Sequence, residues 1–247
     1  MYHFISKIVL YTCSMTWFFS GFAYASPTQV PLLGKTITQE KQQNMTPKQA
    51  LRRLKEGNQR FLTHKPISRD YLKQAYLSSY GQYPFAVVLN CMDSRSVPEF
   101  IFNQGLADLF TLRVAGNVIN DDMLGSMEFA TKVTGAKLIV ILAHTSCGAV
   151  AGACQGAQLG HLTDVLDKIQ PAVQTIMKDE GTKNCDDPKL INEIAKTNAL
   201  NIVREIQARS PILKGLLQDK KIGIVAGLHD IKTGQVTFFE EERSVPE

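Results

Sequence analysis

Several familiar functional signatures are missing from this chain, and each absence removes a class of function. There is no C-x-x-C pair, so a simple redox dithiol is excluded, and no C-x5-R, so phosphatase chemistry of that type is excluded too. It has no complete G-x-x-x-x-G-K-S/T loop to cradle phosphates and no G-x-S-x-G nucleophile elbow. No dense basic run occurs and the formal charge is only +4, which gives no reason to expect nucleic acid as a partner. Internal repeats and low-complexity blocks are also lacking. What remains is an ordinary globular balance, 44% hydrophobic and 20% charged over 247 residues, enough for one substantial α/β domain.

The first 25 residues differ from the rest. Lys7 precedes an apolar stretch from Ile8 to Phe22, and Ala23-Tyr24-Ala25 is an A-x-A cleavage site before Ser26. This pattern predicts a secretory signal peptide and an exported protein, with the bacterial periplasm as the expected compartment and no stable membrane association after cleavage. An uncleaved anchor, or lipidation at Cys13, is the alternative; the bulky Tyr11 is poor for a lipid-modification box. Residues 26–45 carry Pro27, Pro31, Gly34 and several glutamines without apolar periodicity, and are expected to be a flexible arm. The domain proper is expected over 46–247. It opens at Thr46-Pro47-Lys48-Gln49, a threonine N-cap, a first-turn proline and a glutamine at N3, followed by Leu51, Leu54 and Phe61 or Leu62 on one helical stripe.

Chemistry first appears at the end of the apolar run Phe85-Ala86-Val87-Val88-Leu89, which reads as a buried strand. Just after it comes Cys91-Met92-Asp93-Ser94-Arg95. In an extended segment alternate residues share a side, so Cys91, Asp93 and Arg95 are expected to face one cavity at a strand's carboxyl end, where open α/β sheets bind ligands. A second apolar run, Leu138-Ile139-Val140-Ile141-Leu142, leads to His144-Thr145-Ser146-Cys147-Gly148-Ala149. Two strand ends thus carry a combined Cys-His-Cys set, the donors of a catalytic zinc that keeps its fourth position open. Cys147 also stands at the start of a helix of small residues, where backbone N–H groups favour a thiolate.

Between these clusters, Leu109-Phe110-Thr111-Leu112 reads as a strand closed by Arg113-Val114-Ala115-Gly116-Asn117, and residues 122–134 as a helix stopped by Gly135. Residues 159–209 read as mostly helical, with breaks near Gly181 and Pro188. Lys221 to Gly227 is a further strand, and Asp230-Ile231-Lys232-Thr233-Gly234 turns into a last edge strand at 235–239. The expected fold is α/β, a central mostly parallel sheet with an antiparallel edge strand, flanked by helices and preceded by an N-terminal helical arm. Cys154 and Cys185 form either a disulfide or two separate buried thiols. His3, His64, His161 and His229 have no companion ligands in a recognisable spacing and read as surface or hydrogen-bonded histidines; His64 and His161 are candidates for moving protons.

The residues CMDSR, RVAGN and HTSCGA, in that order and spacing, resemble a β-class carbonic anhydrase, and the resemblance runs from about Thr46 to the C-terminus, with Glu56-Gly57-Asn58-Gln59-Arg60-Phe61 early and Gly227-Leu228-His229-Asp230 late. Ala143 stands where that family often has glycine. The resemblance implies a zinc enzyme that hydrates carbon dioxide reversibly to bicarbonate, with zinc-bound hydroxide as nucleophile and one Zn2+ per chain on Cys91, His144 and Cys147. It implies that Asp93, ionised by its pairing with Arg95, orients the nucleophile, and that an unpaired Asp93 closes the metal as a fourth ligand. By family position Gln82, Phe110, Ala115, Gly116 and Phe129 line the substrate pocket. A homodimer or homotetramer is implied, with the N-terminal helix packed on a partner. In some relatives bicarbonate regulation uses a tryptophan three residues before the first cysteine; Val88 occupies that place, so such regulation is not expected. On the same fold, hydrolysis of carbon disulfide or carbonyl sulfide is an alternative, and a non-catalytic zinc-stabilised binding or redox protein is another.

Overall fold

The computed structural model describes residues 33–178, 184–239 and 245–247. The expected signal segment, Cys13 included, lies outside these residues, as does the first part of the expected arm. From Leu33 onward the chain builds helices α1 (Gln39–Gln43), α2 (Pro47–Leu62) and α3 (Tyr71–Ser78), strand β1 (Ala86–Asn90), α4 (Pro98–Ile101) and β2 (Leu109–Arg113). Then follow α5 (Asp121–Glu128), β3 (Leu138–His144), α6 (Gly148–Cys154), α7 (Gly160–Asp167), α8 (Gln170–Lys178), α9 (Pro188–Arg209) and α10 (Pro211–Gln218), and finally β4 (Gly223–His229) and β5 (Val236–Phe239). Among the described residues no helix is long and apolar enough to cross a membrane.

Among the described residues five strands form one sheet in the order β2-β1-β3-β4-β5. The first four are parallel and β5 pairs antiparallel with β4, the expected edge arrangement. β1 and β3 are buried along their whole length because both faces are covered. Alternation assigns the side chains. Val87, Leu89, Ile139, Ile141, Ile224 and Ala226 enter one core beneath α9 and its neighbours, while Ala86, Val88, Leu138, Val140 and Val225 enter a second core with Ala50, Leu51 and Leu54 of α2. The Thr46–Gln49 capping box forms as expected. The chain moves outward from β1 to β2 and then returns across β1 to β3. Strand order therefore reverses between β1 and β3, and their carboxyl ends flank a crevice that suits a ligand.

The described part of the expected flexible arm, 33–45, is instead folded against the domain. Leu33 donates its amide to the Ser68 carbonyl at 2.8 Å, Thr38 caps α1, and Ile37 is buried. Gln42, one of the glutamines that suggested a solvated segment, is buried with its amide on the carbonyls of Pro84 at 2.7 Å and Thr134 at 2.9 Å. Distant backbone acceptors, rather than a local apolar pattern, hold this stretch in place. The expected helix at 122–134 spans α5 and then widens into one π turn at Phe129–Val133 before Gly135. Cys154 and Cys185, left open by the sequence, form a disulfide that ties the last residue of α6 to the turn before α9.

Candidate metal centre

Cys91 follows β1 directly, His144 is the last residue of β3, and Cys147 is the N-cap of α6. The reversal in strand order brings the three together: one donor atom from each lies within 4.8 Å of the others, and all three residues are buried. The ring of His144 is fixed by its Nδ1, which donates to the Thr145 carbonyl at 2.9 Å. That bond sets the tautomer, so Nε2 carries a lone pair; it is buried and has no hydrogen-bond partner. A bare imidazole nitrogen beside two sulfurs is costly unless something accepts its lone pair. The donor set therefore fits a thiophilic divalent metal.

Without a metal the two cysteines divide one proton. The Cys147 thiol donates to the Cys91 sulfur across 4.0 Å. That bond pushes the Cys91 pKa down to about 4; burial opposes the shift, while His144 and the amides of Asp93 and Gly116 reinforce it. Cys147 is pushed strongly up, by the same bond and by burial, although the amides of Ala149 and Val150 at the start of α6 work the other way. Burial, the largest single influence, lowers the pKa of His144, but the Cys91 sulfur, the Thr145 carbonyl and the Asp93 carboxylate together outweigh it and the net direction is upward.

The expectation that Cys91, Asp93 and Arg95 point one way from an extended segment holds only in part. β1 ends at Asn90, and the chain turns at Ser94 with the Ser96 amide on the Asp93 carbonyl at 3.0 Å. Arg95 reaches Asp93 by folding back. Its Nε donates to Oδ1 at 3.0 Å, its Nη2 to Oδ2 at 2.8 Å, and its own amide to Oδ1 at 2.9 Å. This fork holds the Asp93 carboxyl well below the usual carboxylate range. Asp93 Oδ2 also lies 3.9 Å from the bare Nε2 of His144, so the carboxylate sits beside the donor set while remaining outside it.

The carbonic anhydrase family model matches residues 86–236, more than half of the chain. Carbonic anhydrase 2 of Mycobacterium tuberculosis is 33% identical over 202 residues, covering 79% of this chain and 94% of the relative. Among solved structures, the β-carbonic anhydrase CcaA superposes with a TM-score of 0.63 at 23% identity over 80% of this chain and 99% of its own. A tetrameric β-carbonic anhydrase from Sordaria macrospora gives 0.62 at 21% identity, over 67% and 85% of the two chains. The chain belongs to the β-class carbonic anhydrase family. It is accordingly an enzyme of carbon dioxide hydration.

The family pocket positions are distributed unevenly. Gly116 lies in the turn Ala115–Asn117 after β2 and directs its amide at the Cys91 sulfur, with half-buried Ala115 beside it. Phe110, at mid-strand in β2, meets Phe129 edge to face at 6.3 Å; Phe129 is half exposed. Gln82 is not brought to the site within one chain. It is exposed in the loop before β1, at the amino end of the strand whose carboxyl end bears Cys91, and a parallel strand keeps its two ends on opposite edges of the sheet.

Sequence reasoning gave no role at the site to four residues that support it. Arg113 donates from Nη2 to the Asp93 carbonyl at 2.7 Å and braces the loop. His229, read as a surface or hydrogen-bonded histidine, is the latter: it is buried opposite His144 in the β3–β4 register, with Nδ1 3.2 Å from Ser96 Oγ. Burial, with His144 adding, lowers its pKa to about 4. Asn192 and Asn198 of α9 reach the two ligand loops, accepting from the Ser146 amide at 3.0 Å and donating to the Gly116 carbonyl at 3.1 Å. Arg113 begins the RVAGN stretch and His229 stands at a strand end, so both carry a local signal; the asparagines look like polar positions on a long helix.

Proposed function

We propose that this enzyme interconverts carbon dioxide and bicarbonate with one zinc ion per chain, held by Cys91, His144 and Cys147. The observation that carries the proposal is the bare, buried Nε2 of His144 facing two cysteine sulfurs. Zinc accepts a Cys2His set with one position left open. When bound, it supplies the Lewis acidity that makes water a nucleophile near neutral pH.

The remaining work falls to side chains. Asp93, kept ionised by Arg95, accepts a hydrogen bond from the attacking water and turns it toward the substrate carbon. Arg95 also keeps the carboxylate off the donor set, and an unclamped Asp93 is the residue near enough to close it. Phe110 and Phe129, with Ala115 and Gly116, offer apolar surface to a small molecule without a net dipole. A role for Gln82 at the site requires a second copy of the chain. A homodimer or homotetramer is supported by the open edge of β2 among the described strands and by the exposed Phe100 and Val133. The tetrameric relative from Sordaria macrospora is in keeping with this. Export to an oxidising compartment such as a bacterial periplasm is supported by the Cys154–Cys185 disulfide together with the signal-like residues 1–25.

The test is metal analysis and gas turnover of the purified mature chain. About one zinc per chain is expected, with carbon dioxide hydration abolished by a chelator and restored by zinc. Turnover confined to carbon disulfide or carbonyl sulfide would reject the substrate, and a metal-free active enzyme would reject the site.

A further inference from the structure

Away from the metal centre, α9 lies over β3 and β4, and α10 packs beside it. The edge strand β5 carries Phe239 opposite Ala226, facing the same core but only partly buried. A groove of about 560 Å3 is left between the two helices and this edge of the sheet. Its floor is apolar, made by Leu200 and Val203 of α9, Leu217 of α10, Ile222 and Ile224 at the start of β4, and Phe239. Its rim carries charge of one sign. Arg204 on α9, Lys214 on α10 and Lys220 in the turn after it are all exposed, and no Asp or Glu lines the groove. Arg204 donates from Nη1 to Asn201 Oδ1 at 2.7 Å, an uncharged partner. The acids next to the rim in sequence are engaged elsewhere, Glu205 with Arg209 at 2.6 Å and Asp219 with Lys221 at 3.3 Å. Among the described residues, none of the three rim cations has a carboxylate partner.

We propose that this groove is a second binding site, separate from the metal centre, and that it takes a single-chain amphiphilic carboxylate. The hydrocarbon tail lies along the floor and the head sits among Arg204, Lys214 and Lys220. Each part of the ligand answers one part of the site. Hydrocarbon is driven onto an apolar floor by the water it displaces, and an anionic head makes charge-assisted hydrogen bonds to cations that lack a partner. A polyphosphate or sugar would leave the floor unused, and a plain hydrocarbon would leave the rim unused. The volume is that of a site for one small ligand, which favours a single acyl chain over a two-chain lipid. The inference does not depend on the reading of the metal centre.

The test is isoleucine-methyl NMR of the full mature zinc enzyme, titrated with decanoate and dodecanoate below their micelle-forming concentrations and with decanol as the uncharged control. The Ile222 and Ile224 methyls are expected to shift and saturate. Dodecanoate should bind about fourfold more tightly than decanoate, roughly twofold per methylene, since a groove open on one side gives half the free energy of full burial. Arg204→Ala with Lys214→Ala, both at exposed positions, should weaken dodecanoate roughly tenfold. The same variant should leave decanol binding and carbon dioxide hydration unchanged. Equal affinity of the unaltered enzyme for decanoate and decanol would overturn the proposal. So would binding to phosphatidylglycerol vesicles without any response to monomeric dodecanoate, which would give the surface to a membrane. Methyls that stay silent overturn it as well. A response recovered on replacing Glu240, Glu241 and Glu242 by glutamine would then assign the groove to the chain's own acidic run, and one recovered on dilution to a second copy.

Discussion

Arg95 grips Asp93 at both carboxylate oxygens, with its guanidinium and with its own backbone amide. Exposed ion pairs contribute little on average, but a bidentate fork on a half-buried carboxylate fixes direction as well as charge. The direction matters because the same carboxylate stands 3.9 Å from the bare nitrogen of His144. Arg95→Ala is therefore expected to lower kcat/KM for carbon dioxide by at least about tenfold while zinc stays bound. Arg95→Lys should restore little, since an ammonium cannot make the planar fork. Stopped-flow hydration with zinc analysis measures both, and a fully active Arg95→Ala enzyme would sink the assignment.

The two strand ends are legible in the sequence because a buried parallel strand writes itself as an uninterrupted apolar run, and Cys91 and His144 stand where such runs stop. Cys147 is legible for a similar reason, as small residues follow it into a helix. Contacts made across long sequence distances are not. Gln42 has the composition of a solvated residue, and only the carbonyls of Pro84 and Thr134 make it a buried bracket. Asn198 lies 82 residues from Gly116, and no local pattern marks which face of a 22-residue helix meets the site. Gln82 is the converse case. Its nine-residue distance from Cys91 looks short along the chain, yet β1 lies between the two and separates them across the sheet.

The Cys154–Cys185 disulfide closes a loop with a sequence separation of 31. Removing it frees the unfolded chain and unties α6, whose first turn adjoins Cys147, from the start of α9. Chain-entropy reasoning gives about 3 to 4 kcal/mol for a loop of this length. Cys154→Ala with Cys185→Ala, or dithiothreitol on the unaltered enzyme, is expected to lower the thermal midpoint by several degrees. Zinc content should change little, since neither cysteine belongs to the donor set. Unchanged melting in reductant would show that the bond does not stabilise the folded enzyme.

His229 makes metal-free stability depend on pH in a definite direction. Burial lowers its folded pKa to about 4, against an unfolded value of about 6.5, so between these values the unfolded chain binds the extra proton. Stability is complete above pH 6.5, falls as the pH drops toward 4, and loses nothing further from this group below that. The loss is of order 3 kcal/mol across the window. Urea unfolding of the unaltered chain and of His229→Asn should therefore converge as the pH falls from 7 to 4, the variant being less stable at pH 7 but flatter. Parallel curves would show that His229 does not titrate differently in the folded state.

Zinc binding should release protons in a number set by the pair of cysteines. At pH 7 the free site already holds Cys91 as a thiolate, because the Cys147 thiol donates to it, while Cys147 keeps its proton. A metal needs both thiolates and a neutral imidazole. Loading therefore frees about one proton from Cys147, together with the protonated fraction of His144, whose pKa is raised. Isothermal titration of zinc into the chelator-stripped enzyme, in buffers of different ionisation enthalpy, reads this number directly. The value should fall by about one in Cys147→Ser if that chain still binds metal. Equal proton release by the unaltered enzyme and by Cys147→Ser at one pH, where any proton lost from metal-bound water counts in both, would mean that Cys147 held no proton before the metal arrived, and the shared-proton arrangement between Cys91 and Cys147 would be wrong.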